Sequence, residues 1–251
     1  ELVSKQAERL GWDAPNKEPH FDKLLRPIIL GLSASADEPK IVEHSLKLFK
    51  NISQTEDLTP GLRAVTTNGR LKRGLDVDPD LRGIVFGTAA RLGGEQEFNK
   101  LVHLHHTSTL TEEKTTLAAA ITGFKQAELI KRSLEIIKSD EVRLQDVSYW
   151  IAYSLLNRHA RQATWEWLRS NWDWLDSNLG SDLSFYRMPI YAARVFSKDS
   201  FKKEYIEFFL PKMSPALKRS YNQGLEMIQW QTAWKKRSLK EVQVFFNRQS
   251  Q

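Results

Sequence analysis

The sequence predicts an all-α protein, an irregular solenoid of antiparallel helix pairs stacked in the manner of HEAT or armadillo arrays. Three observations carry that reading. Apolar residues recur at spacings of three and four from one end of the 251-residue chain to the other. No segment alternates with period two over a strand length between hairpin turns. The periodic segments are joined mostly by short polar connections, which favour antiparallel neighbours. No sequence repeat of roughly 40 residues is visible, hence an irregular array, with an irregular bundle as the alternative.

The first residues, with Leu2, Val3, Gln6 and Leu10, read as a helix already under way and carry no secretory-signal pattern, so a piece of a longer polypeptide is expected. Phe21, Leu24, Leu25, Ile28, Ile29 and Leu32 then follow the helical template and are expected to form a buried stripe, with Pro27 kinking the helix or delaying its start. Asp37 is expected to cap the next helix, with Pro39 in its first turn and Ile41, Val42, Ser45, Leu48 and Phe49 on its buried side. Periodicity fails over 51–77, which reads as one long loop. Order resumes at Asp78-Pro79, a cap followed by a first-turn proline, and Gly93-Gly94 ends that helix. Its stripe is Leu81, Ile84, Val85, Thr88, Ala89 and Leu92. Further helices are predicted near 95–106, 111–123, 126–138, 143–156, 160–176, 183–196, 199–209, 215–232 and 238–247. Thr109-x-x-Glu112 reads as a capping box at one joint.

Composition narrows the partners. Hydrophobic residues make up 41% and charged residues 27%, ordinary for a globular chain. No apolar run approaches the roughly 18 residues that span a bilayer, so no membrane partner is expected. The absence of cysteine excludes disulfides and thiolate metal sites and suits a reducing, cytoplasmic location. A net charge of +6 raises the question of nucleic acid. The basic groups Arg70-Leu71-Lys72-Arg73, Lys202-Lys203 and Lys235-Lys236-Arg237 are scattered and flanked by acids, as solvated helix faces are, so a nucleic-acid partner is not expected.

The motifs of catalysis are missing. A zinc hydrolase needs two histidines one helical turn apart beside a glutamate, and no H-E-x-x-H occurs. His103-Leu104-His105-His106 has no acid at a completing spacing and reads as exposed or helix-capping histidines. There is no cysteine nucleophile, no Gly-x-Ser-x-Gly elbow, no P-loop and no dinucleotide fingerprint. No catalytic residue, metal site or cofactor is therefore assigned to this chain. Four of the eight tryptophans fall within Trp165-Glu166-Trp167 and Asn171-Trp172-Asp173-Trp174. Their mixed-charge neighbours favour a packed seam between helices over a platform for stacking bases.

The order and spacing of several short motifs resemble a known family. They are Asp80-Leu81-Arg82-Gly83-Ile84-Val85, Gly93-Gly94, Phe98, Glu141-Val142-Arg143-Leu144-Gln145-Asp146, Asn157, Arg161, Trp165-Glu166-Trp167-Leu168 and Asn171-Trp172. Ser200-Phe201, Phe208-Phe209, Lys218-Arg219-Ser220 and Ala233-Trp234 continue the series. Together they resemble the C-terminal helical domain of M1-family zinc aminopeptidases, of the puromycin-sensitive and fungal cytosolic type. The stretch Gly61 to Gly74 is longer than the usual connection before the Asp-Leu-Arg helix.

The resemblance implies a single C-terminal helical domain over 1–251, cut from a longer aminopeptidase. It implies that zinc and catalysis reside in a preceding N-terminal catalytic domain, the partner of this one. The role implied here is to cap the active site and shape the cavity that holds peptide substrates. Arg82, Gln145, Asp146, Asn157, Trp165, Asn171 and Trp172 match the family pattern and read as packing and capping residues. No substrate-binding residue is assigned. The reading from a different class is an independent helical-repeat scaffold whose concave face binds a protein or nucleic acid.

Overall fold

A computed structural model describes residues 3–15, 17–52 and 77–249. Among these the only regular structure is helical, with no strand. The long loop read from the sequence lies, over 53–76, outside the described residues. The chain divides into two compact units, Glu1–Ser133 and Leu134–Gln251.

In the first unit the helices are α1 (Ser4–Leu10), α2 (His20–Ser35), α3 (Pro39–Asn51), α4 (Arg82–Leu92), α5 (Glu95–Thr107) and α6 (Thr111–Ile121). The division falls within α7 (Ala127–Ile136). The core is the apolar side chains that α3 to α6 turn toward one another, among them Phe49, Val85, Phe86, Phe98, Leu101, Leu117 and Ile121, all buried. Phe49 meets Phe86 edge-on at 6.4 Å between ring centroids, and Phe98 meets Phe124 at 5.3 Å. Such edge-to-face pairs add to the hydrophobic gain of burial.

The start of α4 follows the sequence reading closely. Asp78 accepts the amide of Asp80 at 3.0 Å, and Pro79 opens a single 3-10 turn, Pro79–Leu81, that feeds α4. Gly93 ends it, donating its amide to Ala89 O at 2.8 Å. The other two caps differ. Glu38, not Asp37, caps α3, with Oε2 accepting the Ile41 amide at 2.8 Å. Asp37 turns its backbone into the left-handed region (φ 58°) and pairs with Arg91 at the end of α4. Thr109 caps nothing, since α6 begins at Thr111 after Leu110, and the Leu110 amide donates to Ser108 Oγ at 3.3 Å instead. A glutamate reaching back to the start of its helix occurs one joint earlier, where Glu97 Oε2 accepts the Gly94 amide at 2.8 Å.

The bulky stripe of α2 overturns an expectation. Phe21, Leu24, Leu25, Ile28 and Leu32 are exposed, Phe21 by 76%. The buried face lies opposite and carries Arg26, Leu30, Ser33 and Ala34, with α2 running through Pro27 as one helix. Small residues explain the choice. A methyl group on Gly31 would already touch Ile84 of α4 at 3.8 Å, so the lean side of α2 permits the closer approach of α4. Arg26 closes the same side by donating to Leu10 O and Gly11 O at 3.0 to 3.2 Å and by pairing with Glu18.

The second unit holds α8 (Val147–Leu156), α9 (Arg161–Ser170), α10 (Trp172–Leu179), α11 (Met188–Val195), α12 (Asp199–Phe209) and α13 (Pro215–Gln249). Two boundaries differ from those expected. The Trp-rich segment is two helices that meet at Asn171, where the backbone leaves helix (φ −112°, ψ 16°) and the side-chain amide donates to Trp167 O at 2.8 Å. The two helices expected over 215–232 and 238–247 are one, since Ala233 to Arg237 contain no glycine or proline and favour helix. Beyond Thr232 none of the described side chains of α13 is buried.

Candidate functional site

The densest gathering of sequence-flagged residues is the aromatic seam of α9, α10 and α12. Trp165 is fully buried and Trp172 nearly so. The Trp165 ring meets Phe201, Phe208 and Phe209 at 5.2, 5.3 and 5.9 Å. The Trp172 ring meets Phe185, Phe208 and Phe209 at 4.8, 5.4 and 5.5 Å. The two tryptophans therefore grip the same pair of phenylalanines on α12. The one polar atom of Trp165 is satisfied, with Nε1 donating to Glu204 Oε2 at 3.1 Å. Tyr205 extends the seam to α13, stacking on Tyr221 at 5.5 Å and donating its hydroxyl to Tyr221 O at 3.1 Å. Burial, with Tyr221 alongside, pushes the Tyr205 phenol far above its ordinary range.

Most of the polar positions of the same pattern are hydrogen-bonded. Asn171 Oδ1 accepts from Lys138 Nζ at 3.0 Å, and that ammonium lies 5.3 Å over the Trp174 ring. Asp146 accepts from Arg143 Nε at 2.7 Å. Asn157, just past the end of α8, accepts the His159 amide at 3.0 Å. Gln145 is exposed in the 3-10 turn Leu144–Asp146. In the first unit Arg82 is buried, donating from Nη1 to Glu113 Oε2 at 2.7 Å and from Nε to Val77 O at 3.3 Å. Within the second unit Trp165, Trp172 and Asn171 share one seam, while Asp146 and Asn157 bond to residues three and two positions away.

Ligand-binding chemistry is sparse. A groove lined by Leu46, Phe49, Leu92, Gln96 and Lys100 runs beside α3 and α5. Two of its charged groups are engaged, Lys100 donating to Phe49 O at 2.7 Å and Glu97 accepting from Gly94. Among the described residues no three His, Asp or Glu side chains gather where they could hold a metal ion. His105 is buried in α5 rather than exposed. No helix of the described residues is long and apolar enough to cross a membrane.

The signal that sequence reasoning missed is Glu113, the partner of Arg82. It stands 31 positions away on α6 and looks like one more surface acid of an acidic first turn.

An all-helical domain of packed helices without a catalytic metal motif is thus the class defined by fold and site. The family model of the ERAP1-like C-terminal domain matches residues 1–229, and the chain belongs to that family. Similar proteins come from bacteria, plants and fungi. Aminopeptidase N of Lactobacillus helveticus is 28% identical over 232 residues, covering 91% of this chain and 26% of its own length. Aminopeptidase M1-D of Oryza sativa subsp. japonica is 25% identical over 238 residues, covering 93% and 25%. Aminopeptidase 2 of Candida albicans is 23% identical over 246 residues, covering 96% and 25%. The chain spans about a quarter of the length of these relatives.

Proposed function

We propose that this chain is the non-catalytic C-terminal domain of an M1 metallo-aminopeptidase, where it caps the active site and shapes the cavity that receives peptides. The observation that carries the reading is the family match through both compact units, in a chain whose sequence holds no zinc-binding motif. That match also supports treating 1–251 as one domain of stacked helix pairs, a degenerate HEAT- or armadillo-like solenoid. Zinc then belongs to the preceding catalytic region, and the chemistry needed here is exclusion. A helical wall over a reactive centre keeps out folded chains and water. The assignment to the puromycin-sensitive and fungal cytosolic type, and with it a cytoplasmic location, rests on the ordered motifs and the lack of cysteine. The seven pattern residues are proposed as packing and capping groups, since the tryptophans are buried and most of the polar members are bonded locally. Buried tryptophans also argue against a base-stacking scaffold.

The test compares the polypeptide encoded by the whole gene with a version lacking this chain, and with this chain alone. The chain alone should hold no stoichiometric zinc and cleave no aminoacyl reporter. The whole polypeptide should cleave reporters and discriminate peptides by length, and removing this chain should abolish that discrimination. Hydrolysis by the isolated chain, or a tightly held zinc lost on His103→Ala/His106→Ala, would sink the reading.

A further inference from the structure

The exposed stripe of α2 has no role in the fold described above. Phe21, Leu24, Leu25, Ile28 and Leu32 occupy one face over twelve positions, a strip about 16 Å long, at 40% to 76% exposure. The opposite face is buried against the neighbouring helices. The charged residues of α2 lie off the stripe and two of the three are paired: Asp22 with Arg9 at 2.7 Å, and Arg26, itself buried, with Glu18. An uncharged strip of this kind offers nothing to a nucleic acid, an anionic lipid or an acidic peptide. It matches an apolar protein surface of the sort found at the centre of permanent interfaces, and contiguous patches like it are rarely left open on monomers.

We infer that this face of α2 is where the rest of the same polypeptide docks, through an apolar, uncharged surface of the preceding region. The inference rests on the proposed function and names the contact it requires. The occupant is argued from chain length: the relatives carry about three-quarters of their sequence outside the part that matches, and the matching family is a C-terminal domain. Intramolecular cover is permanent, so five large apolar side chains carry no solvent penalty in the mature protein.

Hydroxyl-radical footprinting of Phe21, Leu24 and Leu25 tests this on the isolated chain and on the whole polypeptide. Labelling should be strong in the first and lost in the second. Leu24→Asp/Ile28→Asp should leave the unfolding midpoint of the isolated chain unchanged and lower that of the whole polypeptide. Equal labelling in both forms overturns the inference. Proteolytic nicking ahead of residue 1 then separates two failures. If the nicked pieces still co-elute, the proposed function stands and only the surface is wrong; if they part freely, the function reading falls as well. Concentration-dependent dimerisation of the isolated chain that the double variant abolishes also overturns the inference, by assigning the face to a second copy.

Discussion

Arg82 Nη1 and Glu113 Oε2 lie 2.7 Å apart with both side chains more than nine-tenths buried, so the start of α4 is tied to the first turn of α6 by an ion pair largely shielded from water. Glu113 Oε1 accepts no hydrogen bond, so the carboxylate is only partly compensated. Removing one partner leaves an uncompensated buried charge, which costs about 3 to 5 kcal/mol, whereas replacing both by apolar groups is often neutral. Arg82→Met should therefore destabilise the protein severely, and Arg82→Met/Glu113→Leu should recover most of the loss in urea unfolding. A double variant as unstable as the single one would show that Arg82 acts through Val77 O instead.

The aromatic seam makes a second prediction. Trp172→Ala should cost about 3 to 5 kcal/mol, the usual toll for deleting a large buried aromatic, and should lower the melting temperature clearly. A base-stacking platform demands the reverse pattern, with melting unchanged and single-stranded oligonucleotide binding lost. Both measurements on one variant decide between them.

Gly224 on α13 supplies a third. A Cβ there would stand 2.1 Å from Tyr205 Oη and 2.9 Å from its Cζ, and Tyr205 is fully buried with no room to swing away. Glycine to alanine within a helix ordinarily gains up to about 1 kcal/mol. Here overpacking, at about 1 to 3 kcal/mol, outweighs it. Gly224→Ala should lower stability, and adding Tyr205→Phe should restore only part of it, because Cζ remains too close. Full restoration in thermal melts would assign the whole clash to the hydroxyl.

Tyr205 also sets an alkaline limit. Its folded-state pKa is raised, so the unfolded chain loses this proton first, near pH 10, while the folded chain keeps it. The unfolded state then binds fewer protons, and stability falls as pH climbs above about 10. The contribution is complete below that point and is lost on the way up. In urea titrations from pH 8 to pH 11, Tyr205→Phe should flatten the decline. An identical slope in both proteins would remove Tyr205 from the account.

Local grammar was the legible part of this sequence. Asp78-Pro79 and Gly93 marked the ends of a helix because a cap, a first-turn proline and a closing glycine act through backbone groups a few residues away. What escaped was any choice made between elements. The α2 periodicity located the bulkiest face correctly, but which face packs depends on how near α4 can come, and that was written in the smallness of Gly31, Ser33 and Ala34. Arg82 was flagged while Glu113 was not, since nothing along the chain pairs positions 31 apart. The tryptophan cluster reads along the chain as a packed seam, but its division between two helices at Asn171 leaves no mark in the periodicity.

The last stretch of α13 follows a different physics from the rest of its helix. From Ala233 to Gln249 the rod has no buried side chain among those described to hold it, and Lys236 anchors it to Asp199 at 2.6 Å through two exposed groups. An unsupported helix of this length sits at the margin where isolated peptides melt in water, about 12 to 15 residues. Amide exchange should therefore step along a single continuous helix, slow through Ile228 and fast past Arg237. The arm's helical content is then set by temperature and by whatever touches Trp234, Phe245 and Phe246, rather than by the body it grows from.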